Sequence, residues 1–212
     1  FYASQLYIES VLKNEQKPLS HSINWNYLPH SGGSIIHPHL HVIMSEETTN
    51  YQARFNQEAQ AYKESTGNHY LNDLYEREKK EATRWIGERG NVSWIHAFAP
   101  KSHNDFIAIF REKTSIHDVT ERDWLDFATG LQAVFASVAE QGLASFNMVM
   151  HFGQDGSPVH ARLIPRLILN ELGTSDMNFF QSLHGEALVY KKPETIAQIT
   201  RRHFKLNEEN LS

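Results

Sequence analysis

The chain of 212 residues has no cysteine, so neither a disulfide nor a cysteine-ligated metal can stabilise it. It has no apolar run near the ~18 residues of a membrane-spanning helix, and no basic segment followed by an apolar core that would mark a signal peptide. It has no excess of basic residues either, since the formal net charge is −5. Binding to nucleic acid needs clustered Lys and Arg. We therefore expect a cytoplasmic globular protein with no nucleic-acid or membrane partner, while a small phosphorylated ligand stays permitted.

Histidine is abundant instead, with 13 residues, and three of them share one short segment. His37, His39 and His41 stand at alternate positions of the sequence IIHPHLHVIM, residues 35–44. Its apolar residues predict a buried strand, on which alternate side chains face the same side. Pro38 cannot donate to a sheet ladder, so it should lie at an edge or face a ligand. The spacing predicts three imidazoles along one surface.

Three interpretations fit such a row of histidines: a surface strand with incidental histidines, a metal site, or nucleophilic catalysis at phosphorus. An imidazole is a good nucleophile when one ring nitrogen is held as a donor and the other keeps its lone pair. The turn just before the segment favours the third interpretation. Ser34 offers a hydroxyl, and Gly32 and Gly33 allow backbone amides to approach an anion closely.

Hydrophobic periodicity predicts an α+β fold, with an antiparallel sheet and packed helices. From 92 to 166 the predicted order is strand, strand, helix, strand, strand, and the earlier segment ends in a similar hairpin, which suggests two related halves. The chain begins with Phe1 rather than Met, so we expect a piece of a longer protein. The predicted helices span 1–13, 49–66, 70–88, 120–141 and 194–204, and the predicted strands span 21–27, 35–44, 92–99, 105–110, 145–152 and 159–166.

The segment GGSIIHPHLH resembles the active-site segment of the galactose-1-phosphate uridylyltransferase-like branch of the histidine-triad (HIT) superfamily. Asn26, Ser34 and the run His37-Pro38-His39 stand at matching spacing. SFNMVMHFG and VHARLIPR look like the paired strands of that family's second half, and the segment from Asp176 to Tyr190 looks like its sugar-recognition stretch. The resemblance implies two HIT-type repeats, the first truncated, with residues 1–90 holding the triad and a helical insert and 91–212 the second repeat and C-terminal helix.

The resemblance also implies a chemistry. His39 would attack the α-phosphorus of a nucleotide or nucleotide-sugar and form a nucleotidyl-histidine, which a phosphorylated acceptor would then consume. Asn26 and Ser34 would hold phosphoryl oxygens, and His37 would support the nucleophile and in relatives can bind a structural zinc. No cofactor is required for this chemistry, and relatives are often homodimers.

Three departures limit what the resemblance implies. Uridylyltransferases generally have Gln at the third triad position, where this chain has His41, as histidine-triad hydrolases do. A structural zinc or iron site of relatives would use His151 and His160, but Arg162 stands where a further His would be and the Glu position looks like Phe55 or its neighbours. The Lys and Glu that recognise hexose phosphate are not evident in NFFQSLHGEALVY. A hydrolase, and a non-catalytic nucleotide- or metal-binding protein, therefore stay open as alternatives.

Two arginines of the last predicted strand have two interpretations. Arg162 and Arg166 share one face by their even spacing, and each could meet a phosphate or form an ion pair.

Overall fold

The structure, a computed structural model, describes residues 1–153, 156–169, 171 and 173–209. The helices are α1 (Tyr2–Asn14), α2 (Asn50–Thr66), α3 (Tyr70–Glu81), α4 (Glu121–Glu140) and α5 (Pro193–Glu209). The strands are β1 (Ser20–Tyr27), β2 (His41–Ser45), β3 (Trp85–Arg89), β4 (Val92–His96), β5 (Phe106–Phe110), β6 (Phe146–His151), β7 (His160–Pro165), β8 (Ile168–Leu169) and β9 (Thr174–Ser175). None of these helices is long and apolar enough to cross a lipid bilayer.

Seven strands form one sheet in the order β2-β1-β6-β7-β5-β4-β3, and all of its pairings are antiparallel. The predicted α+β fold is confirmed, as is the order strand, strand, helix, strand, strand, observed as β4, β5, α4, β6 and β7. The division into two repeats at residue 90 stays a prediction. Strands from both sides of that division belong to the same sheet, because β1 pairs with β6.

One face of the sheet carries the main core. Helices α4 and α5 pack there, where the rings of Trp94 and Phe127 stack with centroids 5.3 Å apart and Phe204 is buried beside them. The N-terminus of α4 is fixed by a capping box, in which the Thr120 hydroxyl accepts from the Asp123 amide and the Asp123 carboxylate accepts from the Thr120 amide. Burial of these large aromatic side chains contributes to the driving force for folding.

Helices α2 and α3 cover part of the other face. They connect β2 to β3, which are the two outermost strands at opposite edges of the sheet. A smaller cluster forms beneath them, where Leu71 and Tyr75 of α3 pack against Ile95, Ile107 and Ile109. The rest of this face, over β1 and β6, carries polar side chains.

Two predicted elements are wrong in their extent. The strand predicted over 35–44 begins only at His41, and residues 35–40 are irregular. Pro38 removes a ladder donor at the sheet edge, and Ile35 and Ile36 are exposed instead of buried. The helix predicted over 70–88 ends at Glu81, because Ala82 takes a left-handed conformation (φ 53°) and the chain turns into β3.

Candidate active site

The uncovered part of the second face carries a row of side chains that runs across the sheet. In the strand register His41 of β2 is opposite Asn24 of β1, Asn24 is opposite Val149 of β6, and Val149 is opposite Arg162 of β7. Residues directly opposite in antiparallel strands project from the same face. Asn26 and Asn147 form the next pair along this face. The sheet therefore places the last triad histidine beside a strip of amide side chains.

This placement corrects the prediction of a buried strand that carries three imidazoles along one surface. His37 and His41 are exposed and His39 is half-buried, because the segment lies before and at the start of an edge strand. The rings of His39 and His41 do come together, with centroids 4.6 Å apart and planes at 72°. His37 interacts with His39 through its backbone carbonyl, and among the described residues its ring contacts neither of these two rings. The histidines are thus accessible to a ligand from solvent.

The His39 ring is oriented by its own segment. Its Nδ1 lies 2.9 Å from the carbonyl oxygen of His37. A carbonyl oxygen only accepts, so Nδ1 carries the proton and donates it, and Nε2 keeps the lone pair. This is the tautomer that nucleophilic attack through Nε2 requires.

The glycine turn before the triad is built differently from the sequence expectation. The amide of Gly32 donates to the Pro29 carbonyl over 2.9 Å, and the amide of Gly33 donates to the Leu28 carbonyl over 3.1 Å. These amides would have to leave those partners to hold an anion, so their contact with a phosphoryl group stays a prediction. A Cβ on Gly33 would lie 2.9 Å from the Leu28 oxygen, which only glycine avoids. Ser34, just beyond, is exposed.

The orientation of Asn26 is set by Arg166, for which the sequence predicted a phosphate contact or an ion pair, and by Asn147, which no motif marked. Arg166 donates from Nε to the side-chain oxygen of Asn147 over 2.6 Å. The Asn147 amide nitrogen therefore faces the other way, and it donates to Asn26 Oδ1 and to the Ser31 carbonyl, each over 2.7 Å. Because Oδ1 of Asn26 is occupied, its Nδ2 is the end that can donate to a phosphoryl oxygen. Asn147 carries no pattern of its own in the sequence, and only the pairing of β1 with β6 connects it to Asn26.

Arg162 and Arg166, each predicted either to meet a phosphate or to form an ion pair, both form ion pairs. Arg162 donates from Nε to Asp105 over 2.8 Å and from NH1 to the Tyr51 hydroxyl over 3.0 Å. Arg166 lies 3.9 Å from the carboxylate of Asp176. Arg162 nevertheless lines a 270 Å³ cavity over the amide strip, together with Asn24, Asn26, Lys101 and Asn147. That cavity combines cationic and amide donors, which suits a small anion.

The histidines proposed for a structural metal form a pair to which the described residues add no further metal ligand. His151 and His160 have ring centroids 5.1 Å apart, and the Phe55 ring lies 5.2 Å from that of His160. Burial, assisted by nearby positive charge, lowers the pKa of His151 to about 3 and that of His160 to about 4. The described part of the chain has no group of three His, Cys, Asp or Glu side chains that could hold a metal ion. Phenyl and guanidinium groups complete this site, so its residues do not fit zinc or iron.

Comparison with known sequences finds one informative relative. No protein-family model matches the chain. A protein of Archaeoglobus fulgidus described as uncharacterized is 32% identical over 205 residues, which make up 95% of this chain and 61% of that protein. The chain therefore spans less than two thirds of the length of the curated relative that it matches.

Comparison with solved structures shows the fold. A uridylyltransferase structure superposes with a TM-score of 0.83 at 14% identity, over 97% of this chain and 66% of that chain. A galt-like protein from Arabidopsis thaliana gives 0.77 at 16% identity, over 94% and 67%. An ADP-glucose phosphorylase from Arabidopsis thaliana with bound ADP-glucose gives 0.77 at 14% identity, over 93% and 63%.

The chain has the fold of these uridylyltransferase-like proteins. The fold that the resemblance of the GGSIIHPHLH segment implied is thereby confirmed, while its division into two repeats stays a prediction. The roles of single residues stay predictions.

Proposed function

We propose that the protein is a nucleotidyltransferase that moves a nucleoside monophosphate from an NDP-sugar or related nucleotide to a phosphate acceptor, through covalent nucleotidyl-His39. The acceptor is a sugar 1-phosphate or inorganic phosphate. The observation that carries the proposal is the hydrogen bond from His39 Nδ1 to the His37 carbonyl, which leaves Nε2 of this half-buried ring with its lone pair. The fold shared with a uridylyltransferase and an ADP-glucose phosphorylase supports it.

The reaction has two balanced halves. The lone pair of His39 Nε2 forms a bond to the α-phosphorus while the bond from that phosphorus to the bridging oxygen breaks, and the leaving group departs as a sugar 1-phosphate. An oxygen of the acceptor phosphate then attacks the same phosphorus, the phosphorus–nitrogen bond breaks, and His39 regains its lone pair. Splitting the transfer in this way is ordinary covalent catalysis.

Neighbouring groups stabilise the charge on the phosphoryl oxygens. Asn26 donates from Nδ2, and Ser34 donates from its hydroxyl, to the α- and β-phosphoryl oxygens. Gly32 and Gly33 give the turn the shape that brings Ser34 to the triad. Asn147 and Arg166 act through Asn26 as positioning residues.

Hydrolysis is the second candidate, and a specific contact favours it. The His41 ring lies 4.6 Å from the His39 ring. An imidazole there can take a proton from water or give one to a leaving group, which a neutral amide cannot do. If His41 acts in this way, water consumes the nucleotidyl-His39.

Intact-protein mass spectrometry after incubation with UDP-, ADP- and GDP-sugars tests the proposal. We expect a covalent nucleoside monophosphate adduct that His39→Ala abolishes and that the control His117→Ala, at an exposed histidine far along the chain, retains. An adduct on His39→Ala, or no adduct with any nucleotide, would contradict the covalent mechanism. Nucleotide that raises Tm without any adduct or turnover would instead indicate a binding protein.

A chase separates transfer from hydrolysis. Labelled nucleotide on His39 should move into an added sugar 1-phosphate or inorganic phosphate. Label that leaves only as free nucleoside monophosphate would favour the hydrolase. With His41→Gln we expect release to water to slow at least about tenfold, since the general acid–base group is lost.

A further inference from the structure

A cavity of 430 Å³ lies between helices α2 and α3 and the sheet, apart from the triad histidines. Its apolar wall is made by Phe55 of α2, Tyr70 and Leu74 of α3, Ile107 of β5 and the exposed ring of Phe98. A cavity of this size lined by aromatic rings matches the sites in which proteins bind small organic molecules. Its walls provide flat surfaces on which a planar group can stack.

Two cationic side chains line this cavity. Lys101 and Arg162 both line it, and Arg162 is already neutralised by the buried carboxylate of Asp105. The Lys101 ammonium lies 4.2 Å from the centre of the Tyr51 ring and forms no ion pair with any carboxylate in the described ranges. The Lys101 ammonium is therefore available to an anionic ligand.

The surrounding charges agree with an anionic ligand. Burial, and then the positive charges of Arg162 and Arg54, lower the pKa of Lys101, while Asp105 opposes them. Two cationic side chains, Lys101 and Arg162, line the cavity, and its one lining carboxylate among the described residues is that of the exposed Glu186.

We propose that this cavity is a second ligand site, which binds a small organic anion with its planar body between Phe55, Tyr70 and Phe98 and its phosphate or carboxylate on Lys101. An uncharged aromatic molecule would gain only the burial of its apolar surface there, and an inorganic anion would gain only the charge contact with Lys101. Both parts together should bind more tightly than either one. Lys101 and Arg162 also line the cavity over the amide strip, so the two cavities adjoin, but no triad histidine lines either of them.

Isothermal titration calorimetry with 1-naphthyl phosphate tests this site, with 1-naphthol and inorganic phosphate as probes that each lack one part. We expect 1-naphthyl phosphate to bind at one site per chain, at least about tenfold more tightly than either reference probe. Lys101→Met should weaken it at least about tenfold, since a charge-assisted hydrogen bond is lost, and Lys101→Arg should restore it to within about threefold. Lys80→Met, which removes an exposed charge on α3, is the matched control and should change nothing.

Two further variants locate the probe. Ala187 is a half-buried residue that lines the cavity, so Ala187→Trp should block binding while thermal unfolding shows an intact fold. His39→Ala should leave the affinity unchanged, and loss of binding in that variant would assign the probe to the triad and overturn the proposal. Unchanged binding in Lys101→Met, equal affinity for 1-naphthol, or no binding of 1-naphthyl phosphate at millimolar concentration would overturn it as well.

Discussion

Asn147 of β6 donates a side-chain hydrogen bond to Asn26 of β1 over 2.7 Å, and this bond decides which end of the Asn26 amide can meet a ligand. The two residues are 121 positions apart in the sequence. Arg166 fixes the direction of the bond because it occupies the oxygen of Asn147. The donor expected to hold phosphate is therefore aimed by residues from the other half of the chain.

Reversal of that bond should slow the reaction. Asn147→Asp keeps the size and still accepts from Arg166, but its carboxylate cannot donate to Asn26, whose amide is then free to turn its nitrogen toward it. We expect nucleotidyl-His39 to form about tenfold more slowly, as one hydrogen bond to the transferred group is lost. Adduct formation is followed by rapid-quench mass spectrometry, with the surface variant Asn72→Ala as control. Wild-type rates in Asn147→Asp would show that Asn26 is not oriented in this way.

A methyl group on Gly33 should disturb the turn that carries Ser34. The added Cβ would lie 2.9 Å from the Leu28 oxygen and 3.1 Å from the Asn26 oxygen, so the backbone around both must shift. We expect Gly33→Ala to form the adduct at least about tenfold more slowly. Gly67→Ala is the control, because Gly67 has φ +80° with open space around it, and it should cost about 1 kcal/mol of stability with no effect on the adduct rate. Equal effects of the two variants on the adduct rate would refute this role of the turn.

The buried histidine pair should make the fold sensitive to mild acid. Both folded pKa values, about 3 for His151 and about 4 for His160, lie below the ordinary value of 6.5. Between about pH 6.5 and pH 4 the unfolded chain therefore takes up protons that the folded chain excludes, and the free energy of unfolding falls as the pH falls. The expected slope is about 1.4 kcal/mol per pH unit for each histidine.

Urea unfolding of the wild type and of His160→Phe measures this dependence. We expect the phenylalanine variant to lose less stability on acidification, by about one histidine's share of the slope. Parallel curves for the two proteins would mean that His160 is not excluded from protonation by the fold.

The ion pair between Arg162 and Asp105 should be sensitive to substitution of either partner. The Asp105 side chain is fully buried, so Arg162→Met leaves its carboxylate without a counter-charge, at a cost of about 3–5 kcal/mol. The double variant Arg162→Met/Asp105→Asn should recover at least about half of that loss in urea unfolding. Lys17→Met, at an ion pair exposed on both sides, should change stability by less than about 1 kcal/mol. A single variant no worse than the double variant would contradict the burial argument.

The sequence predicted those parts of the molecule that depend on local pattern. The amphipathic stripe of α4 and its Thr120–Asp123 cap were sufficient to place that helix, alternation placed β1, and short strand-like segments between turn residues placed β4 to β7. The start of β2 was missed because the apolar run before His41 looks buried, whereas in the sheet it lies at an edge. β3 was missed because Trp85 continues the apolar stripe of α3, and only the left-handed turn at Ala82 breaks the helix.

The candidate site likewise has parts that the sequence predicted and parts that it did not. The triad and its turn are contiguous in sequence, so their proximity followed from spacing alone. The contacts of Asn147 with Asn26 and of Asp105 with Arg162 depend on strand pairings across more than 50 residues, which no local pattern encodes. The cavity under α2 and α3 depends on how those helices cross the sheet, and the sequence predicted only that they exist.

The route of α2 and α3 has a consequence for the order of assembly. They connect β2 and β3, the two edge strands of the sheet. We therefore expect these helices to reach their final packing only after the strands between β2 and β3 have paired. Contacts between distant parts of a chain form slowly, because the intervening loop must close first. We therefore expect α2 and α3 to pack late, so that a nascent or partly unfolded chain has its histidine segment before it has the 430 Å³ cavity beneath these helices.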